Sequence, residues 1–163
     1  MKYCDTPRGA AAVAQANVML GRFARWAQAD IWLTDPHETP EVDALFARGG
    51  VVRAFAEAKT RPTLTLHGLH EFRSLLISAN KIQALVNVTS SVYGVGLVVV
   101  GLADAGVYWT VCRDGVRSQS MPPEPRRTQA NIYGGEKVDH VVYLPVSTMR
   151  IWSQICPYNR SEA

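Results

Sequence analysis

An α/β fold with a mixed sheet is predicted by three observations along the chain. An amphipathic helical stretch lies near the start, two short strand-like runs flank Arg48-Gly49-Gly50, and a second helical stretch precedes two apolar strand-like runs. Helix, hairpin, helix, strand, strand is the element order of an α/β protein rather than of a bundle or sandwich.

Residues 11–28 read as the first helix, with Met19, Phe23 and Trp26 on one buried stripe. Asp30 to Thr34 is a short apolar segment, and residues 35–40 form a Pro-rich loop. Asp43–Ala47 and Val51–Lys59 are the hairpin strands, and Pro62 limits the second. Residues 63–78 fit either a strand or a helix entry. Residues 80–93 read as the second helix, with Ile82, Leu85 and Val86 on one side. Leu97–Leu102 is an apolar run suited to a strand buried on both faces. Val107–Arg113 alternates as its partner. Residues 117–137 are polar and rich in Pro and Gly, as in a long surface excursion, Val138–Leu144 is a further strand, and residues 147–155 suit a short closing helix.

Composition narrows the class. The chain has 163 residues, enough for one domain with its own core, and nothing in it resembles a linker. A core over about residues 11–113 is expected, with a strand and loop extension over 114–163. The longest apolar run, Val95–Ala103, is far short of the roughly 20 residues of a membrane span. The first residues lack the apolar stretch of a signal peptide. Cys4, Cys112 and Cys156 are scattered, which fits free thiols in a reducing, cytoplasmic setting. The net charge of +3 is compatible with a nucleic-acid partner without demanding one.

The chemistry concentrates in residues 42–61. On a strand over Val51–Lys59, Glu57 and Lys59 share a face with Arg53 and Phe55, while Val52, Ala54, Ala56 and Ala58 form a small-residue face suited to a packed helix. If Arg48-Gly49-Gly50 is a three-residue loop, Ala47 lies opposite Val51 and Asp43 opposite Phe55. Asp43 is then diagonal to Glu57, about 7–8 Å away at the backbone and on the same face. A two-residue loop would put Asp43 on the other face. Two carboxylates so placed can share a hard cation such as Mg²⁺ or Mn²⁺, and a lysine beside them can hold water or stabilise charge on a phosphate.

An Asp on one strand, a Gly turn and then Glu-x-Lys, followed by a helix and two strands, resembles the PD-(D/E)xK, or restriction-endonuclease-like, nuclease superfamily. The resemblance covers about residues 11–113. It implies a central mixed four-stranded sheet flanked by helices and Mg²⁺- or Mn²⁺-dependent hydrolysis of DNA phosphodiesters. It also implies Asp43, Glu57 and the backbone carbonyl of Ala58 as metal ligands, with Lys59 orienting or activating water. Some members carry an acid or Gln in the first helix; Gln15, one turn before Met19, is the matching position here. Polar residues follow Glu-x-Lys at the next helix start, where Ser78, Asn80, Lys81 and Gln83 cluster, with Lys81 as a phosphate contact. Two departures stand out: Val42 replaces the Pro of the motif, and the first helix holds no acid.

Other chemistry is poorly served. His67 and His70 lack further Cys or His neighbours for zinc. Gly94-Val95-Gly96 does not continue as a dinucleotide motif, and no P-loop, GxSxG or HExxH occurs. Arg61, Arg126 and Arg127 could follow a DNA backbone. The expected function is a metal-dependent deoxyribonuclease directed by DNA structure or ends, similar to Holliday-junction resolvases. A role in recombination, repair or a phage or mobile element suits it, with DNA and a second copy of the chain as partners. The alternative is a catalytically silent nucleic-acid-binding or assembly protein on the same fold.

Overall fold

The structure is a computed structural model that describes residues 5–38, 41–111, 124–128 and 137–154. The three cysteines lie outside those residues, as does most of the 117–137 excursion.

Helix α1 spans Pro7–Ala27. The Thr6 hydroxyl accepts the Gly9 N–H at 3.0 Å, Pro7 opens the first turn, and Gln28 closes the helix in the left-handed conformation. Strand β1 (Asp30–Leu33) leads through a short 3₁₀ turn to the hairpin of β2 (Ala44–Arg48) and β3 (Val51–Arg61). Helix α2 (Leu66–Phe72), strand β4 (Ser74–Ser78) and helix α3 (Ala79–Ser91) follow. The segment that fits either strand or helix entry in sequence thus holds both. Strands β5 (Val95–Leu102) and β6 (Gly106–Val111) match the expected apolar pair. Beyond them lie β7 (Glu124–Thr128), β8 (Lys137–Pro145) and β9 (Arg150–Ser153).

The central sheet has six strands, in the order β1-β2-β3-β5-β6-β9, not four. Only β3 and β5 are parallel; the other pairs in this sheet are antiparallel. The two added edges come from β1, which reads only as a short apolar segment in sequence, and from β9. The expected closing helix is instead a single 3₁₀ turn at Val146–Thr148 followed by β9. Residues Arg150–Ser153 pair with the open edge of β6, and the hydrogen bonds of that pairing override the weak helical pattern of so short a segment. A second sheet, β4-β8-β7, packs beside the first, with Trp109 donating its indole N–H to the Pro145 carbonyl at 2.9 Å across the join.

The core has two compartments. On one face of the central sheet, Met19, Leu20, Phe23 and Ala24 of α1 pack on Ala44, Ala54, Ala56 and Ala58. These alanines let the helix approach closely, as their alternation in sequence implies. On the other face, Ile82 and Leu85 of α3 meet Phe55, Val98 and Val100, and the second sheet adds Leu75, Ile77 and Leu144. Glu57 lies on this second face and is only 1% exposed.

Candidate active site

The hairpin brings Asp43 and Glu57 together by a route other than the expected one. The loop has two residues, Gly49 and Gly50, both at positive φ, and Arg48 pairs with Val51. That register alone would turn Asp43 to the wrong face. Between Phe46 and Ala47 the register shifts, because Ala47 pairs with Val52 whereas Phe46 pairs with Ala54. Arg53 is therefore the extra residue of a β-bulge. The bulge brings Ala44 opposite Ala56, and just before β2 the Asp43 N–H also donates to the Ala56 carbonyl, at 2.8 Å. Asp43 precedes the first residue of β2 and lines the same cleft as Glu57; it does not pair with Phe55, which lies opposite Leu45.

Strand β3 runs on beyond its last pair with β2, so from Glu57 to Arg61 its strand partner is β5. On the other edge the Ala58 N–H donates to Asp43 Oδ2 at 2.8 Å. N–H and C=O of one strand residue point to the same edge, so the Ala58 carbonyl also faces the Asp43 side. Burial, and then the Glu57 carboxylate, hold the Asp43 pKa above the ordinary aspartate range; the Ala58 N–H, Lys81 and Lys59 only partly offset them.

Two ammonium groups meet Glu57. Lys59 Nζ donates to Oε1 at 2.5 Å, and Lys81 Nζ lies 3.1 Å from Oε2. The second contact is an ion pair to an oxygen that is itself buried. Burial works against the Lys81 charge, but Glu57 and then Asp43 outweigh it and raise its pKa. Lys81 occupies the first turn of α3 because β4 passes directly into that helix at Ser78.

These groups open into a cleft of about 390 Å³. Asp43, Glu57, Ala58, Lys59, Arg61 and Lys81 line it, and α1 contributes Ala12, Val13, Ala16 and Asn17. Arg61 is partly buried, which lowers its pKa, and it donates to the Thr60 carbonyl at 3.0 Å.

Gln15 is a correction: it is exposed and lies outside the cleft lining. The buried stripe of α1 centres on residues 19, 20, 23 and 24, which rotates Gln15 outward and brings Asn17 and Ala16 to the cleft. Gln83 is also apart from the cleft, exposed and donating to Asn87 Oδ1 at 2.8 Å one turn along α3. Asn80 is exposed, and Ser78 caps α3 without a side-chain bond to its backbone. Arg126 and Arg127 sit on β7, opposite Asp139 and Val138 of β8. Asn17 and Thr34 are cleft residues that sequence reasoning missed. The 13–16–17–20 spacing could have identified Asn17; Thr34 has no comparable signal, because its place depends on the fold of β1 back toward Val42, whose carbonyl accepts its hydroxyl at 2.7 Å.

A divalent cation suits the donors present. Mg²⁺ is commonly held by one or two carboxylates and keeps several waters. Asp43, Glu57 and the Ala58 carbonyl, which line one cleft, match that need in the chemistry of their oxygens. Among the described residues no group of three or more His, Cys, Asp or Glu converges on a metal position, so a cation here would rest on two acids.

No protein-family model matches the sequence, and no curated protein matches it. Among solved structures, the chain is similar to Archaeoglobus fulgidus Hjc, a Holliday junction resolvase from an archaeal hyperthermophile, at 14% identity. The alignment covers 82% of this chain and 86% of that one, with a TM-score of 0.48.

Proposed function

We propose that the chain is a divalent-metal-dependent nuclease of the PD-(D/E)xK type that hydrolyses DNA phosphodiester bonds at the Asp43–Glu57–Lys59 cleft. The observation that supports this reading is the cleft shared by Asp43, Glu57 and Lys59: the Ala58 N–H ties Asp43 to β3, and Glu57 and Lys59 stand two residues apart on that strand. A structural ion pair needs one acid; this cluster has a second, held against burial and against its neighbour's charge.

Asp43, Glu57 and the Ala58 carbonyl would hold Mg²⁺ or Mn²⁺, which when bound supplies charge neutralisation for a phosphate and a more acidic water. Lys59, tethered by Glu57, is positioned to orient that water or to meet negative charge developing on the phosphate. Arg61 and Lys81 provide cationic walls for the neighbouring backbone phosphates, with Asn80 beside Lys81 on the same helix turn. DNA with an open or branched structure is the proposed substrate class.

The test is cleavage of supercoiled plasmid and of a four-way junction with Mg²⁺ or Mn²⁺. Wild type is expected to nick at least one substrate, and Lys59→Ala to lose roughly 100-fold or more of the rate. Equal cutting by Lys59→Ala would overturn the reading. Salt-sensitive DNA binding with no cleavage by wild type would favour the silent DNA-binding alternative, for which the absence of an acid among the α1 residues lining the cleft is the supporting observation.

A further inference from the structure

We infer that Lys81 is the built-in counter-cation of the Asp43–Glu57 pair: it must give up Glu57 Oε2 for a divalent ion to bind, and its charge limits the pair to one such ion. The inference rests on the proposed metal site and adds a regulator to it.

Four observations carry it. Lys81 Nζ sits 3.1 Å from Oε2, the carboxylate oxygen that Lys59 does not take. Oε2 is buried, so the Lys81 ammonium stands where solvent would otherwise balance its charge. Lys81 lines the same cleft as Asp43 and Glu57 and feels the charge of both. Its side chain is 35% exposed, so the ammonium can turn from Glu57 into the solvent of the cleft without unfolding anything. Lys59 differs, being bonded to Oε1 from the same strand.

Charge decides the stoichiometry. Asp43 and Glu57 carry two negative charges, and Lys59 and Lys81 already balance them. One divalent ion leaves the cluster with a net charge of about +2, which phosphates can offset; a second would double that excess in a partly desolvated site. Lys81 freed from Glu57 remains at the cleft wall, available to a phosphate oxygen.

The test is titration of the metal-free full chain with Mn²⁺, followed by calorimetry and by the electron paramagnetic resonance signal of free Mn²⁺. Wild type is expected to bind one ion per chain. Lys81→Gln should bind it roughly tenfold more tightly, because the competing charge is gone. Lys81→Arg, which keeps the charge, should stay near wild type. Equal or weaker binding by Lys81→Gln, equal tightening in Lys81→Arg, or two ions in wild type would overturn the inference and leave the metal site standing. If wild type and Lys81→Gln bind no ion, or Glu57→Gln binds as well as wild type, the metal site fails and the inference fails with it.

Discussion

Asp43 Oδ2 accepts the backbone N–H of Ala58, a bond that spans fifteen residues of sequence and fixes one acid of the pair against the strand that carries the other. The bond stands in for the next rung of the β2–β3 ladder, where β2 has already ended. It satisfies a strand N–H that would otherwise be left without a partner, and it places Asp43 where burial and Glu57 both oppose its charge.

That placement sets a pH dependence. The Asp43 pKa is raised in the folded chain, by burial first and by Glu57 second, above the ordinary value of 3.8. Between those two values the native state binds more protons than the unfolded state, so this residue's contribution to stability falls as pH rises through the window. Above the folded pKa the full penalty is present; below 3.8 it vanishes. Asp43→Asn keeps an oxygen to accept the Ala58 N–H and removes the charge. In metal-free buffer it should melt roughly 2–4 °C above wild type at pH 7.5, with the difference shrinking toward pH 4. A lower melting temperature than wild type at pH 7.5 would mean that the Lys81 and Lys59 attractions outweigh burial.

A second prediction concerns the far edge of the central sheet. A Cβ on Gly106 would lie 2.3 Å from Trp152 Cε2, inside any real contact distance. Trp152 is buried, with its ring edge-on to Phe23 of α1 at a centroid distance of 5.6 Å, so it has no easy retreat. Gly106→Ala should destabilise the chain by roughly 1–3 kcal/mol through overpacking, and tryptophan emission should shift to the red as β9 lifts from β6. An unchanged urea midpoint would show that β9 does not hold that edge.

The alternation of small and charged residues over Val51–Lys59 was enough to read which face of β3 packs on a helix and which carries Glu57 and Lys59. The placement of Asp43 was legible only in outcome. Gly49-Gly50 forms a two-residue loop, and the extra residue that restores the face is Arg53, which carries no local mark of a bulge: it is neither Gly nor Pro, and its neighbours alternate normally. Met19, Phe23 and Trp26 alone define too narrow a stripe to orient Gln15; Leu20 and Ala24 are also buried and Trp26 is half-exposed, which rotates the buried face of α1 away from Gln15. Strand β9 depends on a partner edge more than forty residues earlier, and no window around Arg150–Ser153 contains that information.

The ion pair of Glu57 and Lys81 joins a central strand to a helix on the far side of a crossover, and its strength is measurable without any activity. Glu57 is 1% exposed, and removing it leaves Lys59 and Lys81 facing a buried gap. A buried pair broken from one side costs more than the pair contributes, because the survivor stays desolvated. Here both ammonium groups can turn partly outward, which moderates the loss. A double-mutant cycle of Glu57→Gln and Lys81→Met in urea should therefore give a coupling energy of about 1–3 kcal/mol. Because the carboxylate is shielded from solvent, raising the salt from 0.1 to 0.5 M should remove only a minor part of it. A coupling below about 0.3 kcal/mol, or one abolished by salt, would place Lys81 in solvent instead of against Oε2.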